Sequence, residues 1–471
     1  MRRQSDGVMK SSKLRFFTSA TALLAALALG ATVRAQLPAG SALSIGLGAA
    51  ANSATVTVAD PGNHVWVLQS SPDLTTWTDV ETWKVHNGNF HRGIGYTPAP
   101  GLRAYYRTVY DPAHADIPST TVNALLLPAS PANYAAPVLP AGFLVQPIAG
   151  QDNTPANNPV TNAGATLGRT LFYDKRLSQN QTISCSSCHQ RELGFSDPRR
   201  FSTGLLGGQT SRNSMSLANA RWYQRRAFFW DERAATLEDQ VLQPIQNSVE
   251  MGMTLTDLVT RLSAEPYYAT LFTNAFGSAT VTSDRISRAL AQFVRSIIAT
   301  QTKYDAGVLV NFTNFTTQEN RGRQIFQTPN LGNCAACHGT DNFVPGPNIN
   351  NNGLENPYVD KGVGALTGRP QDEGLFKVPS LRNIELTAPY MHDGRFPTLE
   401  AVVDFYNAGV VNHPNLSPPL RNPPGTPGAG QPRQLNLTAA DKAALVAFLK
   451  TLTDTSVAAD PKFADPFNYG D

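Results

Sequence analysis

Residues 185–189 read CSSCH and residues 334–338 read CAACH, and these two segments use all four cysteines of the 471-residue chain. Two cysteines separated by two residues and followed at once by histidine are the attachment pattern of a c-type haem. Redox dithiols or zinc sites with a histidine nearby by accident are the alternative, but the same spacing would have to arise twice. The sequence therefore predicts two covalent haems, held by Cys185, Cys188, His189, Cys334, Cys337 and His338.

Each haem motif follows a segment with the pattern of a helix, at residues 166–177 and 317–327. A third helix is predicted over residues 282–300, where apolar side chains recur on one face, and Thr438 with Asp441 forms the capping signature of a terminal helix. Strand patterns are scarce after residue 150. The predicted fold is mainly α, with a cytochrome c-like haem domain at residues 148–316 and another at 317–471.

The chain before residue 150 has a different composition. Residues 37–112 alternate between apolar and polar side chains, as at 54–58 and 64–68, and predict a small all-β, sandwich-like module. Its three tryptophans are expected to fill its core, with a sugar-binding platform as the alternative. Residues 113–147 are rich in proline and alanine and predict a linker that spaces rather than packs. A second Pro/Gly-rich stretch, 417–432, predicts a surface loop.

Residues 1–35 have the form of a secretory signal. Basic side chains precede an apolar run over residues 16–31, and cleavage is expected near Ala35. The run is shorter than the roughly 20 residues that span a bilayer, so a membrane anchor is the weaker interpretation. We expect an exported, periplasmic protein that does not span the membrane. Residues 36–471 carry 32 basic and 34 acidic side chains, a balance that argues against a nucleic-acid-binding protein.

The second axial ligand of each iron decides the chemistry, because an iron with an open position can bind and activate peroxide. No histidine lies between His189 and His338, so the region expected to cover the first haem has no imidazole to offer. Met215, Met251 and Met253 remain as alternative ligands. An open position at the first haem is favoured.

Two further segments, beginning RNSMSLANA at residue 212 and FKVPSLRNIELTAPYMHDGRFPTLEAVVDFYNAG at residue 376, resemble the bacterial di-haem cytochrome c peroxidases and the related MauG-type enzymes. The resemblance covers roughly residues 140–455 and leaves the module at 37–112 outside it. It implies a peroxidase that takes electrons from a small redox protein, such as a cytochrome c or a cupredoxin, or from side chains of a partner protein.

The resemblance also assigns the residues around the first haem. It implies that Glu250 is the catalytic carboxylate, Gln240 the pocket amide and Pro244 a residue that narrows the pocket, with Trp230 between the haems as an electron relay. Peroxide cleavage requires a group that moves a proton from one oxygen to the other, and a glutamate suits that role. The alternatives are a solvated carboxylate for Glu250 and a core aromatic for Trp230.

At the second haem the family carries its distal ligand fourteen residues after the histidine of the PYMHDG segment, which places it at Tyr406. Tyrosine is the choice of the MauG type, whereas electron-accepting peroxidases have methionine. A phenolate favours ferric and higher states and so implies a low potential. The alternatives are a packed tyrosine, with Met391 or His392 as the ligand.

The resemblance finally implies one calcium ion, bound by the Asn213 side chain and the backbone carbonyls of Thr387 and Pro389. Lys377 stands where the family usually has arginine, which retains the charge but loses the planar fork. The expected function is reduction of hydrogen peroxide. A six-coordinate di-haem electron carrier without peroxidase activity is the alternative, and the β module could in either case anchor the protein to a surface or glycan.

Overall fold

The computed structural model describes residues 125–344 and 349–467 in full, and short segments before them that consist mainly of strands. The chain divides into two compact units, residues 1–124 with 468–471 and residues 125–467. Most of the predicted signal at residues 1–35, including the cleavage position, lies outside the described residues.

The strands of the first unit form two antiparallel sheets, ordered β1-β7-β4-β5 and β2-β3-β6. Their bounds are β1 (Leu14–Arg15), β2 (Ala42–Leu47), β3 (Ser53–Asp60), β4 (His64–Ser71), β5 (Thr78–Val85), β6 (Gly88–Gly95) and β7 (Tyr105–Asp111). The alternating segments at 54–58 and 64–68 fall within β3 and β4. Sandwich-like packing of the sheets stays a prediction, because most of the side chains on which it rests lie outside the described residues.

The second unit is helical, and within its described residues there are isolated β-bridges but no strand. Its helices are α1 (Asn162–Tyr173), α2 (Leu237–Gln246), α3 (Leu255–Ser263), α4 (Pro266–Phe276), α5 (Ser283–Ser296), α6 (Lys303–Leu309), α7 (Thr317–Gln327), α8 (Val363–Thr367), α9 (Leu399–Asp404), α10 (Ala439–Lys450) and α11 (Ser456–Ala459). The mainly helical prediction is confirmed for this unit.

Threonine begins most of these helices. In eight of them the side chain of the N-cap threonine accepts a hydrogen bond from a backbone N–H of the first turn, which satisfies a donor that the helix itself leaves unpaired. The caps are Thr161, Thr236, Thr254, Thr282, Thr302, Thr316, Thr398 and Thr438. The predicted start of the last long helix is therefore confirmed, with Asp441 completing a capping box.

Two predicted helices end earlier than expected. The helix predicted over 282–300 stops at Ser296, because Asn219 takes over the next backbone groups: its N–H donates to Ile297 O and its side-chain oxygen accepts from Ala299 N. The helix predicted over 166–177 stops at Tyr173. Asp174 then caps a separate 3₁₀ turn over residues 175–177.

Both haem motifs sit beside the same kind of helix crossing. In α1, a Cβ added to Gly168 would lie 2.0 Å from the backbone oxygen of Ala289 in α5. In α7, a Cβ added to Gly322 would lie 1.9 Å from the backbone oxygen of Ala444 in α10. In each case a phenylalanine four residues further along the second helix is the next contact. The two halves therefore share this packing of a helix before the haem motif against a later helix.

The core of the second half reaches beyond the predicted boundary at residue 317. Tyr304 and Phe315, placed by prediction in the first haem domain, are buried in the core that contains Phe448 of α10. In the opposite direction, the C-terminal segment returns to the first half, where Phe463 contacts Phe195 and Phe293.

Residues 125–147 of the expected linker are mostly exposed or half-buried, but two of their aromatic side chains are anchored in the helical unit. Tyr134 and Phe143 are both 2% exposed. The Tyr134 hydroxyl donates to Lys462 O at 2.5 Å, and the ring of Phe143 lies edge-on to Trp222 with centroids 4.8 Å apart. Sparse aromatic side chains therefore anchor a segment whose composition is that of a spacer; residues 113–124 lie outside the described part.

Among the described residues no helix is both long and apolar enough to cross a bilayer.

Candidate active site

The first cavity brings together the residues predicted around the first haem. It has a volume of about 600 Å³, and its lining includes Cys188, His189, Gln240, Pro244 and Glu250. A smaller adjoining cavity, of about 70 Å³, is lined by the same five residues and by Cys185. Side chains far apart in sequence therefore face one space together with the haem motif.

The histidine of the first motif is held by its Nδ1 atom. This atom lies 2.9 Å from Phe195 O and 3.2 Å from the Ser214 hydroxyl. A hydrogen bond from Nδ1–H to the carbonyl leaves Nε2 as the atom that can bind a metal, which is the usual arrangement for a ligating histidine. Burial lowers the pKa of His189, so the neutral, ligating form is favoured.

Helix α2 and the turn after it position the three residues that share the first cavity with His189. Gln240 and Pro244 are four residues apart and so lie on one face of α2. The turn that follows the helix is closed by hydrogen bonds from the N–H groups of Glu250 and Met251 to Asn247 O. Burial raises the pKa of Glu250, and the positive charge of Arg233 on the same cavity opposes that rise. A carboxylate with a raised pKa is suited to exchange protons near neutral pH.

The second cavity has a volume of about 230 Å³ and is lined by Cys334, Cys337, His338 and Tyr406. The Nδ1 atom of His338 lies 3.3 Å from Phe343 O, which again leaves Nε2 for a metal. Burial lowers the pKa of this histidine to about 4. The two haem motifs therefore present the same set of groups, each to its own cavity.

Tyr406 faces the second cavity from a π-helical turn over Phe405–Gly409, which directly follows α9. Such turns are frequent at functional sites. Burial raises the pKa of Tyr406, and a hydrogen bond with Asn352 opposes the rise. Met391 also lines this cavity, but its sulfur accepts a weak hydrogen bond from the Asn352 amide.

His392, the other candidate ligand, is buried and its ring stacks on Phe376 with centroids 3.9 Å apart. Its backbone oxygen accepts from Asn213 N at 2.8 Å. Its ring centroid lies 6.5 Å from that of Trp230, so the histidine packs against the wall between the cavities.

Trp230 is part of that shared wall. It lines both cavities, as do Lys377 and the three residues after it, Val378–Ser380. The indole N–H donates to Asn213 O at 2.8 Å, which fixes the plane of the ring. An oxidisable aromatic side chain therefore lies between the two spaces.

Lys377 is 8% exposed, and its ammonium group donates to Ala227 O at 3.1 Å. The ammonium lies 3.7 Å from the centroid of the Tyr223 ring, a cation–π contact. Burial lowers the pKa of Lys377 to about 7. The lysine that replaces the family arginine is thus held by a carbonyl and an aromatic face.

Both cavities fit a c-type haem. In each, two thiols and an imidazole with a free Nε2 atom converge on one space, and burial raises the thiol pKa values to about 11 or 12. The same order of two thiols and a histidine occurs at both sites, and among the described residues no group of three or more His, Cys, Asp or Glu side chains is arranged to hold a metal ion. The donor set therefore favours haem over zinc.

The three predicted calcium ligands, Asn213, Thr387 and Pro389, are among the residues that line the second cavity, and calcium binding there stays a prediction. The Asn213 amide nitrogen donates to the carbonyls of Arg199 and Arg200, at 3.2 and 3.3 Å. This orientation leaves the amide oxygen as the free acceptor.

Sequence reasoning missed several residues of the site. Ser214, which contacts His189, and Asn352, which contacts Tyr406, have no motif of their own. Tyr223, on the wall of the first cavity, forms a buried pair with Glu232, and nothing in their spacing indicates it. Arg233 directly follows the FFWDE segment, which contains Trp230. This nearness in sequence is the one signal that could have placed Arg233 at the site.

Comparison with known proteins agrees with this geometry. Residues 162–310 match the family described as di-haem cytochrome c peroxidase, and residues 319–453 match the cytochrome c family. The chain is 31% identical to the methylamine utilization protein MauG of Methylophilus methylotrophus, over 63% of this chain and 84% of that protein. It is 34% identical to the cytochrome c551 peroxidase of Nitrosomonas europaea, over 71% of this chain and 91% of that protein.

Two solved structures are also similar. A MauG-like protein associated with microbial copper homeostasis is 37% identical, with a TM-score of 0.58 over 66% of this chain and 95% of that chain. The di-haem peroxidase BthA from Burkholderia thailandensis is 26% identical, with a TM-score of 0.54 over 65% of this chain and 90% of that chain.

Proposed function

This chain belongs to the family of MauG-type di-haem cytochrome c peroxidases, and we propose that it reduces hydrogen peroxide in the first cavity, beside Glu250, and distributes the oxidising equivalents through Trp230 to the second. The observation that carries the proposal is the meeting of Gln240, Pro244 and Glu250 with His189 in one cavity. Tyr406 meets His338 in the other.

A haem held by Cys185, Cys188 and His189 would supply, when bound, an iron that can react with peroxide. Glu250 accepts the proton that one peroxide oxygen loses and returns it to the other oxygen, which leaves as water. Because burial raises the pKa of Glu250, its carboxylate accepts a proton more readily than an exposed glutamate would. Gln240 orients the peroxide by a hydrogen bond, and Pro244 limits the space above it.

Trp230 and Tyr406 determine where the oxidising equivalents go. Trp230, which lines both cavities, transfers electrons between them. Tyr406 would hold the second haem together with His338, and a phenolate ligand would stabilise the oxidised iron. A methionine or histidine ligand at this position would instead make the ferric iron easier to reduce.

The electrons come from a small redox protein, such as a cytochrome c or a cupredoxin, or from side chains of a partner protein. Tyr406 favours the second source, because a low-potential second haem can share the oxidising equivalent of the first. The six-coordinate electron carrier is not favoured: the relatives named above are peroxidases and MauG proteins.

We extend the proposal to location and to calcium. Residues 1–35 act as a secretory signal, so the protein works in the periplasm or outside the cell. One Ca²⁺ is bound by the Asn213 side chain and the carbonyls of Thr387 and Pro389, which supports the wall that holds Trp230. The segment at 37–112 is a sandwich-like module that determines where the protein is located and takes no part in catalysis.

Substitution of Glu250 tests the proposal. Glu250→Gln keeps the shape of the side chain and removes its ability to accept a proton, so peroxide consumption should slow by about 10²- to 10⁴-fold with both haems retained. Glu192→Gln is the matched control, because that side chain is 60% exposed and pairs with Arg191 at the surface. An unchanged rate in the Glu250 variant would remove the proton-transfer role.

A further inference from the structure

Tyr223, on the wall of the first cavity, forms a buried phenol–carboxylate pair with Glu232 behind it. Tyr223 is 3% exposed and lines the cavity, and its hydroxyl donates a hydrogen bond to the Oε1 atom of Glu232. The other carboxylate oxygen accepts from Arg225 Nε at 2.6 Å. The side chain of Glu232 is 5% exposed, whereas that of Arg225 is 38% exposed. The pair thus links the cavity to the surface.

The backbone at Glu232 adds a second observation. Its φ of 58° lies in the left-handed region, which glycine adopts freely and other residues adopt at a cost. Such a conformation persists only where the surroundings determine it, and it is concentrated at functional sites. Here the conformation places the carboxylate between Tyr223 and Arg225, with both oxygens engaged.

The surroundings of the ring determine what its oxidation would require. Lys377 Nζ lies 3.7 Å from the ring centroid of Tyr223, and in its protonated form this side chain disfavours a positive charge on that ring. Loss of an electron is therefore favourable only if the phenolic proton leaves with it. Glu232 is already hydrogen-bonded to that proton. Trp230 differs, because its N–H donates to a backbone carbonyl that cannot take up a proton.

We propose that Tyr223 is a redox-active tyrosine that supplies one of the two electrons for peroxide reduction, and that its proton moves to Glu232 in the same step. The inference rests on the proposed function, since hydrogen peroxide is the oxidant. The reaction converts the phenol and carboxylate into a neutral tyrosyl radical and a carboxylic acid, and the electron is one of the two that reduce hydrogen peroxide to water. An electron from the external donor later restores the phenol, and the proton returns from Glu232.

Other buried tyrosines provide a contrast. Tyr268 donates to Asp174 at 2.7 Å and Tyr304 donates to Asp341 at 2.9 Å, so each has a carboxylate partner. Neither contributes to the described lining of the two cavities. Tyr223 combines the carboxylate partner with a position at the site of oxidation. Tyr268→Phe is therefore the matched control.

The experiment is freeze-quench EPR of the haem-loaded protein after one equivalent of hydrogen peroxide, without reductant, with peroxide consumption followed in parallel. A second sample is expressed with ring-deuterated tyrosine. A signal that belongs to a tyrosyl radical loses its ring-proton hyperfine splitting in that sample. We expect this signal in the wild-type protein and in Tyr268→Phe, and its loss in Tyr223→Phe. Glu232→Gln keeps an acceptor for the hydrogen bond but cannot take the proton, so the signal should be lost there too.

The outcomes separate the two proposals. A wild-type protein that does not consume peroxide would overturn the proposed function and this inference with it. Normal consumption without a tyrosyl signal, or a signal that persists in Tyr223→Phe, would overturn the inference alone. Should Tyr223→Phe fail to fold with both haems, Glu232→Gln decides, because a full signal in that variant contradicts the proton transfer.

Discussion

The glycine crossing in the second haem domain gives a prediction whose size follows from the structure. In Gly322→Ala the new Cβ would lie 1.9 Å from Ala444 O, whereas real Cβ contacts essentially never fall below 3.0 Å. Helices α7 and α10 must therefore separate by about 1 Å, which also moves α7 away from the fully buried Phe448 of α10. Because the obstacle is backbone rather than a flexible side chain, we take the upper end of the roughly 1–3 kcal/mol that overpacking costs. The gain in helix propensity returns about 1 kcal/mol, which leaves a net loss of about 2 kcal/mol.

Thermal unfolding measures this loss. For a domain of this size a loss of about 2 kcal/mol lowers Tm by roughly 4–8 °C. Gly168→Ala should behave alike, since its Cβ would lie 2.0 Å from Ala289 O. Gly208→Ala is the control: its nearest neighbour would be a Val249 methyl carbon at 3.4 Å, an ordinary contact. A Tm for Gly322→Ala equal to that of the control would refute the close crossing of α7 and α10.

Three further predictions concern the site and its support. Burial raises the pKa of Glu250, and only the ionised carboxylate accepts a proton. The rate of peroxide reduction should therefore fall with acid at a pH above the usual glutamate pKa of ~4.3. Arg233→Gln removes the opposing charge, so the acid limb of its pH–rate profile should move to higher pH, and a shift to lower pH would contradict the assignment. Tyr406→Met should raise the reduction potential of the second haem in a spectroelectrochemical titration, and an unchanged potential would mean that Tyr406 is not the ligand. Asp305→Ala removes the partner of the fully buried Arg382 guanidinium, 2.6 Å away, and should cost about 3–5 kcal/mol in urea unfolding; a loss below about 1 kcal/mol would contradict a buried pair.

The sequence predicted the parts of the fold that local chemistry determines. The two CxxCH motifs fix the covalent sites, because the spacing follows from the porphyrin itself. Helix α7 has the predicted bounds, and Thr438 with Asp441 begins α10 as expected, since capping is a local interaction. The resemblance supplied what local chemistry does not, namely the placement of Gln240 and Glu250 in one cavity.

The rest depends on contacts between distant segments. Residues 125–147 resemble a linker in composition, yet Phe143 is buried against Trp222, almost 80 residues away. The helix predicted to reach residue 300 ends at 296 because Asn219, from another part of the chain, bonds the groups that would have continued it. The Tyr223–Glu232 pair likewise forms because the fold buries both side chains, and neither residue type predicts such a contact from sequence.

The central claim is that the first haem has an open position beside Glu250 while Tyr406 occupies that position at the second. EPR spectroscopy of the purified ferric protein, before and after addition of peroxide, tests it most directly. We predict a high-spin ferric component that disappears on addition of one equivalent of peroxide, together with a low-spin component. Two low-spin signals and no change with peroxide, even after prior reduction, would contradict the account.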